Sequence, residues 1–134
     1  MQHTQSQEYQ QQQHKIMIIA LKKQLQIRDQ DLKVINVNHW VVTDVVHRLD
    51  KEFVVLTING YKNRQARING YNPVVSGIRR KIKNTYDEEN NIVTNDYNKF
   101  IRYQETDGKH KDLLRGAVLE FMLSMPEFAD AVND

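Results

Sequence analysis

No run of apolar residues in this chain is longer than the six from Ile16 to Leu21. A membrane-spanning helix needs about 20. The sequence therefore reads as a chain with no membrane partner, whose core has to be assembled from the apolar faces of mixed elements. Its 134 residues suit one domain over positions 1–134. Within it, residues 1–14 are set apart as a flexible or projecting glutamine-rich helix start. A chain of that size removes roughly two-thirds of its unfolded surface from water without cross-links. There is no cysteine, which excludes disulfides, thiolate nucleophiles and sulfur-ligated zinc and fits a reducing, cytoplasmic compartment.

Ile18, Leu21 and Leu25, three and four residues apart, predict an amphipathic N-terminal helix that Ser6 could cap and that fades near residues 28–31. Leu32 to Val37 reads as a short strand. Asn38 then caps a second helix to about Asp50, in which Val42, Val45, Val46 and Leu49 keep a helical period. The β-branched valines make a strand the competitor there. Phe53 to Ile58 is β-rich and is followed by Asn59-Gly60, the strongest short hairpin signal. The return strand is Tyr61 to Ile68, and Asn69-Gly70 turns the chain again. Asn72-Pro73 starts a helix to about Asn84, with Val74, Val75, Ile78 and Ile82 inside and Arg79, Arg80 and Lys83 outside. Ile92 to Thr94 and Phe100 to Gln104 read as strands, and Asp107-Gly108 as a turn. Lys109 to Leu123 is a helix with Leu114, Val118, Phe121 and Met122 on its apolar face. Ser124-Met-Pro-Glu127 has the spacing of a capping box, predicting a bend and a short final helix carrying Phe128, Ala131 and Val132. The expected fold is α+β: a long N-terminal helix, a small antiparallel sheet around a 53–68 hairpin, and three further helices at about 39–50, 73–84 and 109–123.

The net charge of +2 says less than its distribution. From Gly60 to Tyr86 there are seven basic residues and no acid; from Glu105 to Asp134 there are seven acids and three bases. Such a split predicts a basic face for an anionic partner, or two faces that complement each other between copies. Lys62, Arg64, Arg67, Arg79, Arg80 and Lys83 are the expected phosphate contacts, with Tyr61 and Tyr71 as stacking groups for unpaired bases. The plainer reading of the same residues is a charged, self-protecting edge strand beside an ordinary polar helix face.

Other chemistry is sparse. On a helix, His39 and His47 are eight residues apart, too far to chelate one ion, and Asp44 with His47 makes at most a surface pair. Trp40 packs at a core margin. Asp107-Gly-Lys109, with Asp96 and Glu105 upstream, resembles the metal-binding end of a restriction-type nuclease site. That resemblance implies carboxylates holding Mg²⁺ and a lysine steadying an attacking water. It departs from the family in that Asp-Gly reads as a turn where the motif belongs on a strand. No phosphate-cradling glycine loop and no Gly-x-Ser-x-Gly elbow is present. No catalytic residue, metal or cofactor is assigned. The expectation is a non-catalytic nucleic-acid-binding or regulatory protein, with a homodimer through the N-terminal helix permitted. The alternative is a small protein-binding inhibitor or accessory protein of the kind phages and mobile elements carry. A metal-dependent nuclease using Asp96, Asp107 and Lys109 comes third.

Overall fold

Apolar residues whose spacing suggests helices lie here on strands. The computed structural model describes residues 18–28, 30–106 and 113–134. Its elements are β1 (Ile19–Arg28), β2 (Val34–Arg48), β3 (Phe53–Tyr61), α1 (Arg64–Ile68), β4 (Val75–Tyr86), β5 (Ile92–Asn95), α2 (Asp96–Thr106), α3 (Leu113–Ser124), a 3₁₀ turn at Pro126–Phe128 and β6 (Val132–Asn133). The strands form one antiparallel sheet in the order β5-β4-β3-β2-β1-β6. This is an up-and-down meander with the last strand added outside the first. It curls into a half-barrel. Register shifts within β1, between Val42 and Asp44 in β2, and between Val75 and Ile78 in β4 supply bends. Gly77, in the β4 irregularity, takes a φ of 70°, where a side chain would be strained.

Alternation along β3 shows why the sheet has two unlike faces. Val54, Leu56, Ile58 and Gly60 are buried, and the residues between them are half-exposed. Cross-strand partners share a face, so Trp40 and Val42 of β2 and Ile78 and Ile82 of β4 join them on the concave side. Against that side pack Tyr97 and Phe100 of α2, Val118 and Met122 of α3, and Met125 and Phe128 beyond it. Gly60 is required there by space. A Cβ at this position would lie 2.7–2.9 Å from Val37, Trp40 and Val75.

Several expectations are overturned. Residues 19–28 form a strand, not the second half of a long helix; residues 1–17, with the glutamine-rich start, lie outside the described residues, while Ile19, Leu25 and Ile27, three of the four residues (with Ile16) expected on a helical dimer seam, lie on β1 and pack in or against the core. Residues 39–50 fall on β2 and its turn, and 73–84 on β4 and the approach to it, so neither proposed helix exists. Asn59-Gly60 does not turn the chain, and the 53–68 hairpin is replaced by a hairpin between β2 and β3, closed around residues 49–52, where Glu52 takes a φ of 55°. The segment from 64 to 68 is the helix α1, and 100–104 belongs to α2 rather than to a strand. The strand at 92–94 is present as β5, and Gly70 does mark a chain reversal, with a φ of 82°. The last helix, expected from Lys109, is present from Leu113 as α3, and residues 109–112 lie outside the described residues. Beyond it Met125, not Ser124, occupies the cap position, and Ser124 donates back to the Phe121 carbonyl at 2.5 Å. Val132 lies on β6. Among the described residues, no helix is long and apolar enough to cross a membrane.

Candidate functional site

The convex face of the sheet bears the candidate site. Strand alternation sends Arg79, Lys81 and Lys83 of β4 outward, opposite Thr57, Val55 and Phe53 of β3. All three cations are exposed. Alternate residues on a strand are about 7 Å apart, so the three stand in a row. Lys81 holds its ammonium 4.0 Å from the centre of the Phe53 ring, an attraction between a cation and the negative ring face. Among the described residues none of the three is in an ion pair. The single carboxylate at an outward position of β2, β3 or β4 beside them is Asp44. It pairs across Thr57 from Arg79, two strand spacings or about 10 Å away.

The same alternation removes Arg80 from this face. It sits opposite Leu56 on the concave side, where its Nη2 lies 3.6 Å from Glu127 Oε1. Arg67 is also withdrawn. Its Nε–H donates to His39 Nε2 at 2.8 Å, while His39 Nδ1 bonds Asp134 Oδ2 at 2.6 Å. His39 is fully buried, at 0% exposure. Burial is the main cause holding its pKa below the ordinary value, and Arg67 and Arg64 add to it against the opposing pull of Asp134. The imidazole is therefore neutral, with its proton on Nδ1 donated to the carboxylate. Tyr61 stands outward at the end of β3, tilted against the His39 ring with 6.0 Å between centres.

Lys62, Arg64 and Tyr71 lie in the connection between β3 and β4. Asn63 caps α1 by accepting from the Ala66 N–H at 2.8 Å. Around α1 is an open hollow of about 470 Å³ lined by Lys62, Asn63, Gln65, Asn69, Tyr71 and Asn72, among others. Tyr71 is 67% exposed. Of the eight residues expected to touch nucleic acid, then, Arg79 and Lys83 share the convex face and Tyr61 stands at its end. Arg64 opens α1 nearby, with Lys62 and Tyr71 beside that helix, and Arg67 and Arg80 are engaged elsewhere. Lys81, not among those eight, joins the row; counting by twos along residues 79–83 could have found it.

The histidine reading is also changed. Asp44 faces outward and His47 inward, so they form no pair. His47 instead meets Tyr97, whose hydroxyl is 2.7 Å from its Nε2, with Phe100 edge-on to the ring. Burial, and secondarily Glu52, raises the Tyr97 pKa, so the hydroxyl stays protonated. His39, Arg67 and Asp134 form a part-buried chain of hydrogen bonds that sequence spacing gave no means of finding, since Asp134, just beyond β6, closes it from 95 residues away. Among the described residues, no group of three or more His, Asp or Glu could hold a metal ion. Asp96 opens α2, while Asp107 and Lys109 lie outside the described residues. No protein-family model, curated protein or solved structure matches the chain.

Proposed function

We propose that the protein binds single-stranded nucleic acid across the convex face of its sheet, without catalysing a reaction on it. The observation that carries this reading is the unpaired row Arg79, Lys81 and Lys83 on a face that α2 and α3 do not cover. A row of cations spaced two residues apart can follow a flexible phosphate backbone, and Phe53 and Tyr61 offer ring surface on the neighbouring strand. A duplex is a poorer partner, because a curved sheet exposing side chains of moderate length inserts no element into a groove. Lys62 and Arg64, the first residue of α1, extend the positive surface, and Tyr71 adds an exposed ring there.

The test is a titration of the full chain with fluorescein-labelled 12-mers, single- and double-stranded, over a range of salt. Binding should weaken with salt by roughly 0.7 in logarithmic slope for each phosphate contact with a single strand. Replacing Arg79, Lys81 and Lys83 together by Gln should lower that slope by about 2 and cost most of the affinity, while Arg80→Gln leaves the slope unchanged. Absence of binding to single strands at low salt, or an unaltered slope in the triple variant, rules the reading out.

A protein-binding role is the second reading, and β5 is the feature that favours it. Ile92 and Val93 are more than half exposed on this outermost strand. Such an edge can accept an extended segment of another protein.

A further inference from the structure

We infer that the mouth of the half-barrel, on the concave side and independent of the convex face, is a site for a small amphipathic monocarboxylate. The ligand would be an aliphatic or aromatic acid of about ten non-hydrogen atoms. Leu25 and Ile27 of β1, Trp40 of β2, Ile58 of β3, Ile78 of β4 and Phe128 wall a cleft of about 290 Å³. Liquid water occupies about 30 Å³ per molecule, so the space corresponds to about ten waters and to a ligand body of about as many heavy atoms. Trp40, Ile58 and Phe128, which form its floor, are buried in the core. The one polar side-chain atom among these three, Trp40 Nε1, already donates to the Lys23 carbonyl at 2.8 Å. Water in the cleft therefore finds no side-chain partner at its base, and an apolar group does better there.

Specificity comes from the rim, where Arg80 and Glu127 stand beside Gln26. Strand alternation forces Arg80 to this side, a cation set among Ile78, Ile58 and Trp40. One of its nitrogens donates to the Arg79 carbonyl at 3.0 Å. Its contact with Glu127 is a single approach of 3.6 Å between side chains 44% and 36% exposed. A loose, solvated pair of this kind is weakly held. A guanidinium prefers a carboxylate that meets it edge to edge through two N–H groups. A ligand whose chain fills the cleft brings its carboxylate to Arg80 at the rim, and Glu127 turns out to water. Glu127 remains a nearby like charge, so it limits the affinity and serves as a handle for the test.

The chain has one tryptophan, so its indole N–H gives a single resonance that reports on the cleft floor. We would titrate the ¹⁵N-labelled full chain with hexanoate, hexan-1-ol and hexylamine. Hexanoate should shift the Trp40 indole peak saturably and bind tightest of the three. Arg80→Gln should weaken hexanoate about ten-fold or more, as loss of a charged hydrogen-bond partner does, and leave hexan-1-ol within about two-fold. Glu127→Gln should tighten hexanoate. If no probe moves the peak saturably, the site is refuted. The carboxylate assignment is refuted if hexylamine or hexan-1-ol binds as well as hexanoate, or if Arg80→Gln leaves hexanoate unchanged. Neither outcome bears on the convex face, which the salt titration tests separately.

Discussion

Gly60 shows how one residue type can carry two opposite messages. After a β-rich run, Asn-Gly signals a hairpin turn because glycine tolerates positive φ. Here Gly60 stays within β3 and is used for its lack of a side chain, under Val37, Trp40 and Val75. Gly60→Ala should therefore destabilise the fold by about 1–3 kcal/mol through overpacking, read as a lowered urea midpoint. A midpoint at the wild-type value would refute the close approach. His39 carries the second residue-scale prediction. It faces Asp134 beyond β6, Arg67 and Arg64 on α1, and Lys22 across the β1 pairing. Its folded pKa lies below the unfolded value, so between the two the unfolded chain binds a proton that the fold refuses. Protonation would also set an Nε2–H against the Arg67 N–H. Stability should therefore be fully present above about pH 6.5 and fall as the pH drops below it. Urea midpoints at pH 7.5 and 5.5 should differ more in the wild type than in His39→Gln, whatever the variant's absolute stability. Equal differences would show that His39 does not carry the effect.

At the scale of elements, the misreadings share one cause. A spacing of four residues satisfies both a helix, at 3.6 per turn, and a strand, at an even number. Ile78 and Ile82, four apart, are inward on β4, and Leu21 and Leu25 both pack on the core from β1. The intervening residue decides between the periods. In β4 it is Arg80, an inward cation that hid the alternation. Irregularities in β1, β2 and β4 interrupted the pattern further. α3 was legible because its apolar residues are three and four apart over several turns, and Val118 and Met122 are buried as that spacing requires. α2 was not legible, because the side chain that starts it comes from another element. Asn84 Oδ1, on β4, accepts from the N–H groups of Tyr97 and Asn98 at 3.1 and 3.2 Å. Asn84→Ala should cost about 1 kcal/mol, as removal of a helix cap does. Thermal melting would show it, and circular dichroism would report any loss at the start of α2.

Across the whole molecule, the acidic C-terminal segment acts as a strap on the basic sheet. Glu127 meets Arg80, Asp130 meets Lys23 at 2.6 Å, and Asp134 meets His39, while β6 pairs with Leu21 and Lys22. The Lys23 ammonium holds the Asp130 carboxyl below its ordinary pKa. Part of the charge asymmetry along the sequence is thus cancelled within one chain, and Arg79, Lys81 and Lys83 of the convex face are among the described cations that are in no ion pair. The exposed pairs of the strap are individually weak, so its release should be local. The double variant Asp130→Asn, Asp134→Asn should speed amide hydrogen exchange at Leu21, Lys22 and the β6 residues while leaving Val54 to Ile58 protected. Unchanged exchange along β1 would show that β6 is held by other forces.

The order of amino acids by itself determined that no long apolar helix forms among the described residues, that the cations cluster between residues 60 and 86, that β5 is a strand and that α3 is a helix. Each of these depends on neighbours close in sequence. Tertiary structure decided that residues 19–28, 38–48 and 75–86 are strands, which cations share a face, and that His39 is enclosed between Arg67 and Asp134. A strand is stabilised by hydrogen bonds and packing from partners distant in sequence, so its period is realised only once the sheet has assembled.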